Sequence, residues 1–242
     1  MPRLLMTRPR ADSDRFIAEL DQATRDGLDV IYSPLIDIVP IDCSVDMSDV
    51  RGVIFTSLNG VEAAQTLGID PVVPCYCVGA RTTEKAKAAG WAARQSGVDA
   101  AELITTLTRS HPDAPLLHLR GVHARGDVAT KLTAAGIETK EQEVYDQALK
   151  PLTDTATSAL AGDDPLIVPL FSPRTARQFA DNAGLQAPLY LAAISEAVAK
   201  TVKMLKYNEL RVADRPDSLA MARCVAQLVK RVSRVEGDGE PQ

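Results

Sequence analysis

Four short segments of this 242-residue chain combine hydroxyls, amides and cations in a way that could hold an anion. They are Thr7-Arg8-Pro9-Arg10, Thr56-Ser57-Leu58-Asn59-Gly60, Gly79-Ala80-Arg81-Thr82-Thr83 and Phe171-Ser172-Pro173-Arg174-Thr175. Each follows an apolar run and precedes a helical pattern, so each is expected to place hydroxyls and unpaired backbone N–H groups at a helix start. Such starts attract anions through those N–H groups and the helix dipole. Plain capping by Ser, Thr or Asn accounts for any one turn taken alone. One anion at one helix end gains roughly 0.3–1 kcal/mol, whereas micromolar binding needs about 8 kcal/mol. The series of turns therefore points to a ligand with many carboxylates or phosphates that touches several of them.

Other chemistries find little support. His118 and His123 flank a turn, and Cys75 with Cys77 shares one face of a strand, so no set of three or four metal ligands forms at a known spacing. There is no G-x-S-x-G elbow, no recognisable triad, and no glycine-rich dinucleotide or P-loop fingerprint after a strand. No cofactor is expected. The four cysteines, Cys43, Cys75, Cys77 and Cys224, lack C-x-x-C spacing and are expected to be reduced and structural. A net charge of −5 without a dense Lys/Arg run argues against a nucleic-acid partner, and 4% aromatic residues are too few for a base-stacking platform. No apolar run approaches the roughly 20 residues that span a bilayer. The opening residues lack the apolar stretch of a signal peptide, so the chain reads as cytosolic with no membrane partner.

The elements that must position these turns follow a β/α alternation. Leu4-Leu5-Met6-Thr7, Val53-Ile54-Phe55-Thr56 and Cys75-Tyr76-Cys77-Val78 read as buried strands. Helices are predicted from Ser13 to Leu20, through Val61, Ala64 and Leu67, and from Thr82 or Thr83 as cap through Ala86 to Ala89. Ser218 to Val229 reads as an amphipathic helix, and Glu236 to Gln242 as disordered. Continuous apolar strands followed by helices imply parallel sheets covered on both faces. In that architecture the turns lie at the carboxyl edge, where ligands bind.

The chain also echoes itself. Arg8 recurs as Arg120, Ser57 as Ser172 and Gly79 as Ser195, at offsets of 112, 115 and 116 residues, which suggests two copies of one unit. After the first βα unit of each half comes an extended segment ending at proline, Tyr32–Pro40 and Glu143–Pro151. These are either two passes of chain between two lobes or two edge strands of one sheet. The first option gives an α/β protein of two doubly wound parallel-sheet domains joined by a two-stranded linker, the middle domain inserted into the first. Residues 1–36 with 149–242 would form one domain and 40–144 the other, with linkers near 35–41 and 143–150.

The ordered series Leu5-Met6-Thr7-Arg8-Pro9, Pro34-Leu35-Ile36-Asp37-Ile38-Val39-Pro40, Ile54-Phe55-Thr56-Ser57-Leu58-Asn59-Gly60-Val61, Val78-Gly79-Ala80-Arg81-Thr82, Leu119-Arg120-Gly121 with Arg125, Val144-Tyr145 and Phe171-Ser172-Pro173 resembles the uroporphyrinogen-III synthase family. The resemblance runs from Leu4 to about Leu228. It implies a bilobal fold and an enzyme, a lyase of tetrapyrrole biosynthesis acting as a monomer. The implied substrate is hydroxymethylbilane, a linear tetrapyrrole with eight carboxylates, which closes with inversion of its last ring and loss of water. Under the resemblance Tyr145 matches a tyrosine proposed to assist departure of the hydroxyl. Ser57, Asn59, Gly60, Thr82 and Ser172 match turn positions that contact substrate carboxylates, Gly79 in the Val78-Gly79-Ala80-Arg81-Thr82 motif is a further substrate-binding candidate, and Arg8 and Arg120 match basic positions, Arg120 being equally readable as structural. Arg174 is added as a neighbour of Ser172. Where the family shows Gly-x-x-Thr, this chain has Ile194-Ser195-Glu196-Ala197, so Ser195 is the candidate hydroxyl and Glu196 a departure. The rival from another class is a two-lobed small-anion binding module without catalysis, which an export signal or helix-turn-helix would favour.

Overall fold

The computed structural model describes residues 1–124, 126–181 and 186–237. Its elements run β1 (Arg3–Met6), α1 (Arg10–Glu19), α2 (Gln22–Asp26), β2 (Asp29–Tyr32), β3 (Ile36–Pro40), β4 (Gly52–Phe55), α3 (Leu58–Thr66), β5 (Pro74–Val78), α4 (Ala80–Ala88), β6 (Ala92–Gly97), α5 (Ala100–Ser110), β7 (Leu116–Gly121), α6 (Val128–Ala134), β8 (Thr139–Leu149), α7 (Asp154–Leu160), β9 (Leu166–Leu170), α8 (Pro173–Ala180), β10 (Leu189–Ala193), α9 (Glu196–Thr201), β11 (Glu209–Val212) and α10 (Ser218–Gly237). They divide into two compact units, Met1–Asp37 with Leu149–Gln242, and Ile38–Ala148. Among the described residues no helix is long and apolar enough to cross a membrane.

The first unit holds a parallel sheet in the order β11-β10-β9-β1-β2. Its central strands are apolar at nearly every position because both faces are covered. Leu5, Val168, Leu170 and Leu191 pack against Leu160 of α7, Phe179 of α8 and Val198 of α9. Leu4, Met6, Ile167 and Tyr190 point the other way, onto Phe16 of α1 and Met221, Val225 and Leu228 of α10. Each such side chain removed from water stabilises the unit by roughly 1.5–3 kcal/mol.

The second unit holds the order β3-β8-β7-β4-β5-β6, parallel from β8 to β6. Val53, Phe55, Leu117 and Leu119 meet Val61 and Ala64 of α3 on one face. Ile54 and Leu116 meet Leu103 and Leu107 of α5 with Val128 and Leu132 of α6 on the other.

The two strand orders coincide: β2-β1-β9-β10-β11 reads like β8-β7-β4-β5-β6. Arg8 follows β1 and Arg120 lies near the end of the equivalent β7, Ser57 and Ser172 follow β4 and β9, and Gly79 and Ser195 follow β5 and β10. Each unit is thus assembled from the first two strands of one sequence copy and the last three of the other. The two extended segments pair with each other. Ile41 N–H donates to the Val144 carbonyl at 3.0 Å within the second unit, and Lys150 N–H to that of Leu35 at 2.9 Å within the first, so the two segments run antiparallel, with β3 beside β8 at the edge of the second sheet.

Two local expectations are corrected. The cap of α4 is Gly79, not Thr82 or Thr83, which are buried inside the helix. Gly79 takes φ 76°, open to glycine at no steric cost. The hydroxyl of Thr83 then donates back to the Gly79 carbonyl at 2.9 Å. At the carboxyl end, Glu236 and Gly237 continue α10, because each residue added to an existing helix gains a hydrogen bond without a new nucleation cost. The rest of that tail, 238–242, and Arg125 lie outside the described residues.

One ionisable group sits within the second unit's core. His118, on β7, is buried, with Nε2 3.1 Å from Thr56 Oγ1. Its Nδ1 has no hydrogen-bond partner among the described residues. Burial pushes the ring down to about 4 from the usual 6.5; Glu141 opposes the shift and Arg120 adds to it. Between those values the unfolded chain binds the proton and the folded chain does not. Stability is therefore full above the unfolded value and is lost as pH falls toward 4, by about 3 kcal/mol in all. His118→Gln is expected to flatten the dependence of the urea midpoint on pH between about 6.5 and 4.5 relative to the wild type. Parallel pH dependences for the two proteins would remove His118 as the source.

Candidate functional site

In the second unit the polar turns lie at the carboxyl edge, because along strands buried on both faces a polar side chain costs stability, as His118 does on β7. Ser57 leaves β4 in an extended conformation and caps α3, its Oγ accepting from Gly60 N–H at 3.2 Å. The same oxygen lies 2.8 Å from the Tyr145 hydroxyl. Tyr145 comes from β8, which is separated from β4 by β7, so its ring spans an intervening strand to make this contact. The residue is only 7% exposed, so its phenol needs a polar partner, and Ser57 supplies one. The Ser57 oxygen is thereby committed twice.

The remaining second-unit candidates divide clearly. Asn59 lies half-buried in the first turn of α3, where the N–H groups of Leu58 and Asn59 have no partner within the helix. Gly60 N–H is taken by Ser57. Gly79 N–H is likewise taken, donating to the Gly97 carbonyl at 2.8 Å. Thr82 is buried in α4.

Arg120 is held by structure. Its Nη2 donates to Glu141 at 2.7 Å, Nη1 lies 3.1 Å from Glu143, and Nη1 also donates to the carbonyls of Gly121 and Val122. The hydrogen bond to Glu141, with the two carboxylate charges, raises its pKa further. Sequence reasoning misses Glu141 and Glu143. They stand two apart on β8 and so share a face, a signal that becomes readable only once β8 is known to pair with β7.

The first unit carries a similar edge with different chemistry. Ser172 caps α8, accepting from Thr175 N–H at 3.2 Å, and its hydroxyl lies 2.8 Å from that of Thr175. The guanidinium of Arg8 stacks over the Phe171 ring at 4.3 Å and lies 3.9 Å from Asp12. Phe171 in turn meets Phe16 edge to face at 4.9 Å. The structure thus brings Arg8 and Ser172 to neighbouring strand ends through one aromatic ring. Arg174, in the first turn of α8, has a buried Nη1 with no hydrogen-bond partner among the described residues. Ser195 opens α9 in extended conformation, and its hydroxyl makes no capping bond. Glu196 is exposed in the first turn of α9, where a negative charge complements the helix dipole.

Comparison with known proteins places this arrangement. The family model for uroporphyrinogen-III synthase HemD matches residues 17–223. No curated protein sequence matches the chain significantly. Among solved structures it is similar to the uroporphyrinogen-III synthetase of Helicobacter pylori 26695, at 17% identity and a TM-score of 0.66, over 94% of this chain and 100% of that one. It is also similar to a mutant uroporphyrinogen III synthase of the extremely thermophilic bacterium Thermus thermophilus, at 14% identity and a TM-score of 0.50, over 97% of this chain and 100% of that one. At such identities the structural likeness carries the fold alone. The family match carries the assignment: it covers most of the chain, in both units, and includes every candidate residue except Arg8. The chain belongs to the uroporphyrinogen-III synthase family.

Proposed function

We propose that this chain closes hydroxymethylbilane to uroporphyrinogen III with inversion of ring D, and that Tyr145 is its hydrogen-bond donor to the departing hydroxyl. The observation that carries the second part is the 2.8 Å contact between Tyr145 and Ser57, which holds a buried phenol at the carboxyl edge of the second unit. Tyr145 O–H lends its proton as the carbon–oxygen bond breaks, so that water leaves and an azafulvenium cation remains. The substituted α-carbon of ring D attacks that cation to form a spirocyclic pyrrolenine. The older bond to the same carbon then breaks, and the chain recloses at the other α-carbon of ring D. Loss of the hydrogen from that carbon rearomatises the ring and returns the proton lent at the start, leaving one water as the only by-product.

The substrate cyclises unaided to the uninverted isomer, so the protein's main task is to hold a flexible polyanion in the conformation that favours the spiro route. In this reading the carboxylates are met by Arg8, Ser172, Arg174 and Ser195 in the first unit. In the second unit Asn59 is the candidate contact, since the N–H groups of Gly60 and Gly79 are already taken and Thr82 is buried, and Ser57 acts through Tyr145. Arg120 is assigned to the pairing of β7 with β8. A set of amides, hydroxyls and a few cations suits this role, because several weak anion contacts add to a firm grip while none of them must perform chemistry.

The direct test incubates hydroxymethylbilane with the protein and separates the product isomers by chromatography. Isomer III is the expected product; isomer I alone, at the uncatalysed rate, would refute the assignment. Tyr145→Phe is expected to lower kcat by about tenfold or more with folding intact, and an unchanged kcat would take Tyr145 out of the chemistry. Arg174→Ala is expected to raise KM several-fold with little change in kcat, the pattern of a contact made equally in ground and transition states. A fall in kcat at constant KM would place Arg174 at the reacting centre instead.

A further inference from the structure

We propose that Gly121, together with a bulge at Val144, is a positioning device for Tyr145: the absent side chain of Gly121 is the space through which the tyrosine ring crosses β7 to reach Ser57. This inference rests on the assignment of Tyr145 to the reaction.

The register of β7 and β8 carries the first half. Arg120 pairs with Glu143, but Gly121 pairs with Tyr145, so Val144 is an extra residue in β8. On an unbroken strand Val144 and Tyr145 would face opposite sides of the sheet. Here both are buried in the same cluster, with Leu117 and Leu119. The bulge has turned Tyr145 onto the face that α3 covers, as bulges beside functional sites do when they re-aim a side chain. Val122 N–H donates to the Tyr145 carbonyl at 3.1 Å and ties the new register to the end of β7.

The second half is steric. Along β7 the residues sharing that face are Leu117, Leu119 and Gly121. A Cβ on Gly121 would lie 2.5 Å from Tyr145 Cε2, 2.6 Å from Cζ and 2.9 Å from the hydroxyl oxygen. A rigid ring on a short stem cannot yield that distance and keep its hydrogen bond. Gly121 is not among the residues with positive φ, so its backbone is one that other residues adopt. Its need for glycine is one of space, not of conformation. Gly60 works from the other side. A Cβ there would meet the Leu119 carbonyl at 3.0 Å and Phe55 Cδ1 at 3.3 Å, so its absence lets the start of α3, and Ser57 with it, approach the same strand.

The test is a double-mutant cycle on kcat for isomer III with Gly121→Ala, Tyr145→Phe and their combination. Gly121→Ala is expected to lower kcat to within about threefold of Tyr145→Phe while KM moves less than that, and the double variant is expected to lose nothing further. Multiplying losses, or an unchanged kcat in Gly121→Ala, would overturn the positioning role and leave Tyr145 in the reaction. An unchanged kcat in Tyr145→Phe would instead overturn the assignment on which the role rests. Should Gly121→Ala fail to fold, Gly121→Ala with Tyr145→Leu is expected to fold, since the ring is what the methyl meets. If that pair also fails to fold, the steric argument is wrong. Ser57→Thr, which retains the hydroxyl, is expected to keep a kcat that Ser57→Ala loses; equal loss in both would show that the hydroxyl does not hold Tyr145.

Discussion

A strand paired on both sides and covered by helices above and below has one place where polar chemistry costs little, its end. Both sheets of this protein follow that constraint, and the one buried histidine on β7, His118, bears its cost in a depressed pKa. Leu4, Leu5 and Met6, or Val53, Ile54 and Phe55, leave no gap along the strand for a hydroxyl or a charge. Ser57 and Ser172, which follow such strands, emerge where a helix begins and its first N–H groups lack partners. The location of the candidate site is thus a consequence of how the cores are packed. It also explains the cost structure of substitutions there: a turn residue can change its anion contact without opening a cavity, whereas Gly60 and Gly121 sit against packed atoms and cannot.

The same strand order in the two units has been put to different chemical use. Ser57 and Ser172 cap equivalent helices through N–H bonds of the same length, 3.2 Å. Two residues on, the second unit has the neutral Asn59 and the first has Arg174. Ser57 turns its hydroxyl to a phenol from β8, while Ser172 turns its own to Thr175. One edge is therefore equipped to hold a hydrogen-bond donor in a fixed place and the other to present positive charge. In the proposed reaction the substrate cyclises without help, so holding and orienting are the larger part of the work and a single donor would be enough chemistry.

Arginine shows how tertiary context assigns a residue. Arg8 and Arg120 stand at the ends of the equivalent strands β1 and β7 and look interchangeable as anion ligands. The Arg8 guanidinium sits over the Phe171 ring, 4.3 Å from its centroid, with a carboxylate oxygen of Asp12 3.9 Å away. Arg120 is gripped by Glu141 and Glu143 at 2.7 and 3.1 Å. A substrate carboxylate at Arg120 would have to displace two already in place and leave them close together and uncompensated, so the cation there serves to bind β8 to β7.

Much of this was legible in the amino-acid sequence. The apolar runs, the helix periodicity, the capping serines and the echo at 112–116 residues determined a parallel α/β architecture in two copies and picked out Ser57 and Ser172, while the family resemblance added Tyr145. The strands, helices and caps depend on neighbours within three or four positions, where side-chain spacing and local hydrogen bonds decide the outcome. Three features depended on tertiary structure: that Gly79 and not a threonine begins α4, that Glu141 and Glu143 neutralise Arg120, and that Tyr145 faces Ser57 at all. Each is settled by pairing between segments distant along the chain. A one-residue slip in the register of β8 reverses which way a side chain points, and no local pattern records where that slip occurs.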